Sequence, residues 1–238
     1  MIEEIGRPSL LVIVRHGESA HNVREQSPLY LSKEDLDQLE GIPDHKIPLT
    51  EEGKRQARET GRAIRKKYGV FDVVYDSQYL RTVQTREGIL EAYTPRMRER
   101  MKIRHSHLIR EREPGYTFGM SDEDVEQYFP WFKKYWDTFG YFYARPPGGE
   151  NQAEVCQRVH EFVDNDLVRI RRGKKVLVVT HGGTIRAFRY NLEKWTPDDY
   201  MREFEEGEHP TNCGVTAYRY SGDTGRLERE TYNTVYWK

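Results

Sequence analysis

Two histidines occupy the same local setting. His16 lies in Arg15-His16-Gly17-Glu18-Ser19 and His181 in Thr180-His181-Gly182-Gly183, each directly after an apolar, β-branched run. Imidazole can act as nucleophile, acid or base. A glycine beside it lets a ligand approach the backbone and leaves amide groups open to an anion. A lone histidine is most often structural, but a matched pair points to function. Arg15 precedes the first histidine, and Arg81 follows Ser77 by four residues, just past a third apolar run, FDVVYDS. Guanidinium groups bind phosphate through two parallel hydrogen bonds and stay charged at working pH. Two arginines and two histidines at strand ends describe a pocket for a dianion.

Other chemistry is poorly represented. His105-Ser106-His107 and His21 are the remaining histidines that resemble a metal site. The H-x-H pair reads more simply as a strand with partly exposed rings, so no metal is expected. Neither G-x-x-x-x-G-K nor G-x-G-x-x-G occurs, so no cofactor held by a glycine-rich loop is expected. The cysteines, Cys156 and Cys213, form no metal pattern and read as small buried hydrophobes in a reducing, cytoplasmic setting.

These groups need a scaffold. Ser9–Val14 and Lys174–Thr180 read as strands covered on both faces, and Phe71–Ser77 as a third. Val215–Tyr220 and Leu227–Asn233, joined by SGDTG, read as a C-terminal strand pair. Helices are expected from Thr50 to Gly69, Arg81 to Ala92 and Asn151 to Arg171. Val155, Val159, Phe162 and Val163 give the last of these an apolar face. The alternation predicts an α/β protein: a three-layer α/β/α sandwich with a mainly parallel sheet and helices on both faces. Functional groups gather at the carboxyl ends of such strands. The 238 residues are expected to form a single domain, 1–238, with cap-like insertions near 23–47 and 111–147.

Charge narrows the partners. The chain has 38 basic and 39 acidic residues, a formal net charge of −1, which argues against a general nucleic-acid binder. The longest early apolar run, Leu10–Val14, ends at Arg15, so no membrane span is expected, and MIEEIGRPSL does not read as a secretory leader.

With those residues in view, the sequence resembles the phosphoglycerate mutase-like histidine phosphatase superfamily from Leu10 to about Tyr220. RHGESAHN (15–22), PLTEEGKRQA (48–57), DSQYLRTVQT (76–85), LIREREPGYTFG (108–119), PPGGE (146–150) and VVTHGG (178–183) occur in the family's order. The resemblance implies that His16 is the nucleophile and becomes a phosphohistidine. It implies that Arg15, Arg81 and His181 hold the phosphoryl oxygens, with Gly17, Asn22 and Gly182 as further substrate-binding positions. Glu111 is implied as general acid and then base, because a carboxyl beside bound phosphate keeps its proton more readily. Glu113 competes for that role, but its spacing to Gly115 does not fit the pattern. No metal is implied.

The resemblance covers both mutases and phosphatases. The 23–46 stretch is longer than its counterpart in cofactor-dependent phosphoglycerate mutases. PDHKIPLT (43–50), FGYFYARPPGGE (139–150) and PTNCGV (210–215) look like a phosphatase-like group that includes plant and yeast proteins named phosphoglycerate mutase-like or broad-range acid phosphatase. The expectation is therefore a phosphomonoester hydrolase acting on small phosphorylated metabolites. The alternatives are a cofactor-dependent phosphoglycerate mutase and a catalytically silent phosphate-binding module. Expected partners are a phosphorylated small molecule and inorganic phosphate, with a homodimer as one option for assembly. The aromatic residues of 128–143 could line a leaving-group pocket or form a satellite core, and Arg145 and Lys33 are candidate contacts for a second anionic group.

Overall fold

The apolar runs become the central strands. The computed structural model of the protein describes residues 7–20, 22, 42–169 and 171–238. Its six strands are β1 (Leu10–Arg15), β2 (Val73–Asp76), β3 (Lys102–His105), β4 (Lys175–Thr180), β5 (Val215–Ser221) and β6 (Arg226–Thr234). They form one sheet in the order β3-β2-β4-β1-β5-β6. The pairs from β3 to β1 are parallel, and β5 and β6 add antiparallel at the β1 edge. The helices are α1 (Glu51–Tyr68), α2 (Leu80–Leu90), α3 (Pro95–Glu99), α4 (Asp122–Tyr128), α5 (Phe132–Tyr143), α6 (Gln152–Phe162), α7 (Gly182–Leu192) and α8 (Pro197–Glu205).

Strand alternation builds the three layers. Leu10, Val12, Val14, Leu177 and Val179 pack with Ile64 and Tyr68 of α1 and Ile89 and Leu90 of α2. Leu11, Ile13, Val176 and Val178 pack with Val155 and Phe162 of α6, Phe188 of α7 and Tyr200 of α8. Successive side chains of a strand point to opposite faces, so an unbroken apolar run is what a sheet covered on both sides requires. The expected α/β/α sandwich is observed.

The element boundaries shift in informative ways. The helix expected over 151–171 is α-helical only through Phe162 and widens to a π-helix over Val163–Val168. The wider turn carries Phe162, Val163, Leu167 and Val168 into one core. Asn151 caps α6 in a reciprocal pair with Glu154. The H-x-H strand is also shorter than expected. It ends at His105, and His107 starts a 3-10 turn, His107–Ile109. His105 Nδ1 lies 2.8 Å from an Asp76 carboxylate oxygen, and His107 is not beside it in a strand. Of the first insertion, 23–41 falls outside the described residues, as do Lys33 and His21. The second, 111–147, folds as a short 3-10 turn followed by α4 and α5. α5 breaks at Gly140, whose φ of 71° favours glycine, and beyond the break Phe142 is buried in the core.

Candidate active site

Register brings the two histidines together. β1 and β4 are adjacent and parallel with Arg15 opposite Thr180, so the next residues, His16 and His181, emerge side by side. Their rings meet edge to face with centroids 5.2 Å apart. β2 flanks β4 with Asp76 opposite Val179, which places Ser77 next in line. Ser77 Oγ lies 2.8 Å from His181 Nε2.

The hydrogen bonds settle where the ring protons sit. His16 Nδ1 is 2.8 Å from the Gly17 carbonyl, which can only accept, so Nδ1 carries a proton. In the neutral ring the lone pair is then at Nε2, the form a nucleophile needs. The Thr82 hydroxyl donates to the Tyr79 carbonyl, so the Ser77 hydroxyl donates to Thr82 Oγ1 and accepts from His181 Nε2–H. His181 Nδ1 is buried without a partner. Burial, then the positive charges of Arg81, His16, Arg158 and Arg15, hold the His181 imidazole well below its ordinary range, so the ring is neutral at working pH.

The loop bearing His16 is locked to α1 and to the segment before β5. Thr50 caps α1 at Gly53 N and also donates to the Glu18 carboxylate, while Glu18 N donates to Gln56. A Cβ at Gly17 would stand 2.5 Å from the Gly53 carbonyl, and one at Gly53 would stand 2.0 Å from that of Glu18. Two backbones touch here, which explains why Gly53 occupies the place where a capping box has an acidic residue. The Gly17 amide donates to Thr85 Oγ1 at 2.9 Å. From the other side, Asn212 Nδ2 donates to the His16 carbonyl and to Asn22 Oδ1, and Cys213 N donates to the Arg15 carbonyl. Asn22 is thus held by its carbonyl end, which also accepts from the Ser19 hydroxyl. Both cysteines are free and buried, and burial pushes their thiols up, the Cys156 thiol to about 12.

The arginines are arranged differently. Arg15 Nη1 donates to the Pro210 carbonyl at 2.6 Å, and its Nε is buried without a partner. Burial, together with the charges of Arg81 and Arg186 and against that of Glu111, draws its pKa below the ordinary value, yet a guanidinium there remains charged. Arg81 is already engaged. It meets both carboxylate oxygens of Asp44, at 2.8 and 3.2 Å, and the Asp44 carbonyl at 2.7 Å. Its guanidinium lies 4.8 Å from the centroid of the Tyr79 ring, which also packs edge to face on His181. Burial pushes the Tyr79 phenol up to about 12.

Glu111 comes from the far side of the sheet and is fixed by backbone. Its two carboxylate oxygens accept from Arg112 N at 3.0 Å and Gly183 N at 3.3 Å. Gly183 is in the first turn of α7, whose dipole favours an anion. A Cβ there would lie 2.7 Å from Glu111 Oε1, so glycine lets the carboxylate in. Thr180 and Thr184 donate to the carbonyls of Ile109 and Arg110, pinning the approach to Glu111. Arg158 donates to the carbonyls of Leu108 and Glu111 and pairs with Glu150. Glu150 also accepts from Arg110 and Glu113 N. Burial raises the Glu150 carboxyl, but Arg158, the Glu113 amide and Arg110 outweigh it, and the group lies below its usual range.

The structure therefore brings Arg15, His16, Gly17, Asn22, Arg81, Glu111, His181 and Gly182 to the carboxyl ends of β1, β2 and β4. Glu113 instead accepts from Gly115 N. Arg145 Nε donates to the Gly149 carbonyl and pairs with Glu154. The aromatic segment packs as a chain: Phe129, Trp131, Phe132, Tyr135 and Trp136 pack on one another, Trp136 meets Tyr141 edge to face, and Tyr141 stacks on Phe204 at 4.0 Å. Sequence reasoning missed Ser77, Tyr79, Asp44, Gly183, Arg186 and His209. Ser77, Tyr79, Asp44 and Gly183 stand inside the quoted motifs and His209 directly precedes one, whereas Arg186 lies in no quoted motif. Among the described residues no three His, Cys, Asp or Glu side chains group as a metal site requires, and no helix is long and apolar enough to cross a membrane.

Residues 11–233 match the family model described as histidine phosphatase superfamily (branch 1), and the chain belongs to that superfamily. It is 32% identical over 223 residues to a 2,3-bisphosphoglycerate-dependent phosphoglycerate mutase of Rhizobium etli, covering 93% of this chain and 95% of the relative. It is 31% identical to the phosphoglycerate mutase-like protein AT74H of Arabidopsis thaliana, covering 87% and 72%. Among solved structures, a putative alpha-ribazole-5'-P phosphatase from Escherichia coli superposes with a TM-score of 0.73 at 18% identity, over 95% of this chain and 97% of that one. At that identity the likeness is one of fold.

Proposed function

We propose that this chain is a phosphomonoesterase of small phosphorylated metabolites, working through a phosphohistidine on His16 in a cytoplasmic setting. The observation that carries the reading is the Nδ1–H bond to the Gly17 carbonyl, which puts the lone pair of the neutral His16 ring at Nε2, with the His181 ring 5.2 Å away. In the first step Nε2 attacks phosphorus, and the bond from phosphorus to the ester oxygen breaks. Glu111 gives its proton to that leaving oxygen. In the second step water attacks phosphorus, its proton passes to the Glu111 carboxylate, and the phosphorus–nitrogen bond breaks. Arg15, Arg81 and His181 offset the charge spread over the equatorial oxygens. For His181 this role needs a proton on Nδ1, and a bound dianion favours that protonation.

A mutase is the second reading, favoured by the Rhizobium etli relative. It differs only in the acceptor, a second hydroxyl in place of water. The deciding experiment measures phosphate release from p-nitrophenyl phosphate and 3-phosphoglycerate, with EDTA present, for wild type and His16→Ala. EDTA-resistant release that vanishes in His16→Ala, a loss of about 10⁴-fold or more, supports the hydrolase. Isomerisation of 3-phosphoglycerate primed by 2,3-bisphosphoglycerate, with little release, would make the chain a mutase. Neither activity in folded protein would leave a phosphate-binding module.

A further inference from the structure

Buried tyrosines normally find a partner for the hydroxyl, because an unbonded polar group inside a protein is costly. Among the described residues the buried tyrosines are Tyr68, Tyr75, Tyr79, Tyr93, Tyr200 and Tyr218. Tyr75 bonds Asp166, Tyr93 the Gly69 carbonyl, Tyr200 Gln152 and Tyr218 Glu193. Tyr68 has the Lys67 ammonium 5.1 Å from its ring centroid, and its oxygen is sealed from solvent. Tyr79 differs from all of these. It is only 9% exposed, its hydroxyl has no hydrogen-bond partner among the described residues, and its oxygen is not sealed.

The open hydroxyl belongs to the pocket. Tyr79 follows the carboxyl end of β2 and caps α2, and its carbonyl accepts from the Thr82 hydroxyl and the amides of Thr82 and Val83. The bonds that orient Ser77 and His181 therefore also fix the backbone of Tyr79. Its ring is held on several sides. The His181 ring stands between two others, with His16 at 5.2 Å and Tyr79 at 4.9 Å. The Arg81 guanidinium lies 4.8 Å from the Tyr79 centroid, and the His45 ring meets it edge to face at 6.4 Å. Burial, then the charges of Asp44, Glu113 and Glu111 against that of Arg81, keep the phenol protonated at working pH. The oxygen is thus a neutral group in an acidic neighbourhood.

We propose that the Tyr79 hydroxyl is a specificity-determining contact that binds a hydroxyl group on the alcohol portion of the phosphomonoester, so that hydroxylated alcohols are selected over plain alkyl ones. The inference rests on the phosphoryl-transfer reading for the orientation of the substrate. With the phosphoryl group against Arg81 and His181, the Tyr79 ring lies beside it. Glu111, which meets the leaving oxygen, is among the carboxylates whose charge the phenol oxygen feels, so the alcohol portion leaves on that side. A second anion there would be repelled by Asp44, Glu113 and Glu111, whereas a hydroxyl is neutral. A phenol donates one hydrogen bond and can accept another, and an alcohol matches it in both.

The test is a binding comparison that does not depend on turnover. Affinities of sn-glycerol 3-phosphate and n-propyl phosphate, which share a three-carbon chain and differ in hydroxyl groups, are measured by calorimetry on the full chain carrying His16→Ala. The same protein is then measured with Tyr79→Phe added, which keeps the ring against His181 and Arg81. The expected preference for the glycerol ligand is about 3- to 10-fold, falling toward one in Tyr79→Phe while the affinity for n-propyl phosphate stays the same. A preference near one in the His16→Ala protein, or one unchanged by Tyr79→Phe, overturns the contact. Equal weakening of both ligands gives the hydroxyl to the phosphoryl group or to the fold and also overturns it. Tyr79→Phe removes a hydroxyl that bonds nothing among the described residues, so its melting temperature should match that of the parent. A Tyr79→Phe protein that does not fold would mean that the hydroxyl supports the structure, and the proposal would fall. Failure of the phosphatase reading shows separately, as wild type that releases no phosphate while the His16→Ala protein still prefers the glycerol ligand.

Discussion

The two sides of the pocket are held by different kinds of structure. On the phosphoryl side, Arg15 ends β1, and His16, Ser77 and His181 follow directly from the ends of three parallel strands, so ladder register sets their spacing before any side-chain bond is made. On the leaving-group side, Glu111, Arg186, Phe204 and His209 come from a connector, two helices and the segment before β5, and side-chain bonds hold them. Backbone ladders cannot be altered without unmaking the sheet. A side-chain network can be exchanged one residue at a time. The first arrangement suits chemistry common to every substrate, and the second suits the part of the substrate that varies.

The comparison can be broken most strongly at Glu111. Glu111→Gln keeps the shape of the side chain but removes the acid. Hydrolysis of alkyl phosphates should fall by about 10²- to 10⁴-fold, while esters with good leaving groups, such as p-nitrophenyl phosphate, should be slowed far less. The readout is the slope of log kcat/KM against leaving-group pKa, which should steepen. Equal slowing of all esters would take Glu111 out of the leaving-group side.

A smaller effect is expected where the sides differ in what already occupies them. Arg81 is held by Asp44, whereas Arg15 and Arg186 have no carboxylate partner among the described residues. Arg81→Ala should weaken inhibition by vanadate or phosphate by about 10-fold or more, since a charge-assisted pair is lost. Asp44→Asn should tighten the same inhibition by a few-fold, because a competing anion is removed. Opposite signs in the two variants would identify Asp44 as an internal competitor. Weaker inhibition in both would mean that Asp44 positions Arg81 for the ligand.

How much was legible in advance follows the same division. His16 and His181 stand at the ends of apolar runs, and alternation in those runs is written in residue type. Their neighbourhood was therefore readable, and so was the parallel sheet. Arg186 lies inside a helix, TIRAFRYNL, and its pattern does not distinguish a buried arginine from an exposed one. His209 is adjacent to Arg15 only because the chain returns before β5, a contact across nearly two hundred residues. The Arg81–Asp44 pair and the Glu150 network are also long-range. The π-helical widening after Phe162 was invisible for a different reason: apolar residues spaced by five read as an imperfect α-helical face.

The smallest effect concerns stability, and it separates the sides by pH. His181 on the phosphoryl side is held neutral, so its folded pKa lies below the unfolded value of about 6.5. As pH falls below about 6.5, the unfolded chain takes up a proton that the folded chain refuses. Stability should then decline, by at most about 1.4 kcal/mol per pH unit for one such group. Glu150, on the leaving-group side, also has a lowered folded pKa. Its contribution is present above the unfolded carboxyl range, about 4.3, and is lost only as pH falls through that range and below. Urea melts at pH 7.5, 6.0, 5.0 and 4.0 should show the phosphoryl side weakening first and the leaving-group side later. His181→Asn should flatten the change between pH 7.5 and 5.0 and leave the steeper fall near pH 4. A slope unchanged by His181→Asn would mean that this imidazole is charged in the folded protein. Added phosphate should flatten the same interval in wild type, because a bound dianion gives His181 a reason to accept the proton.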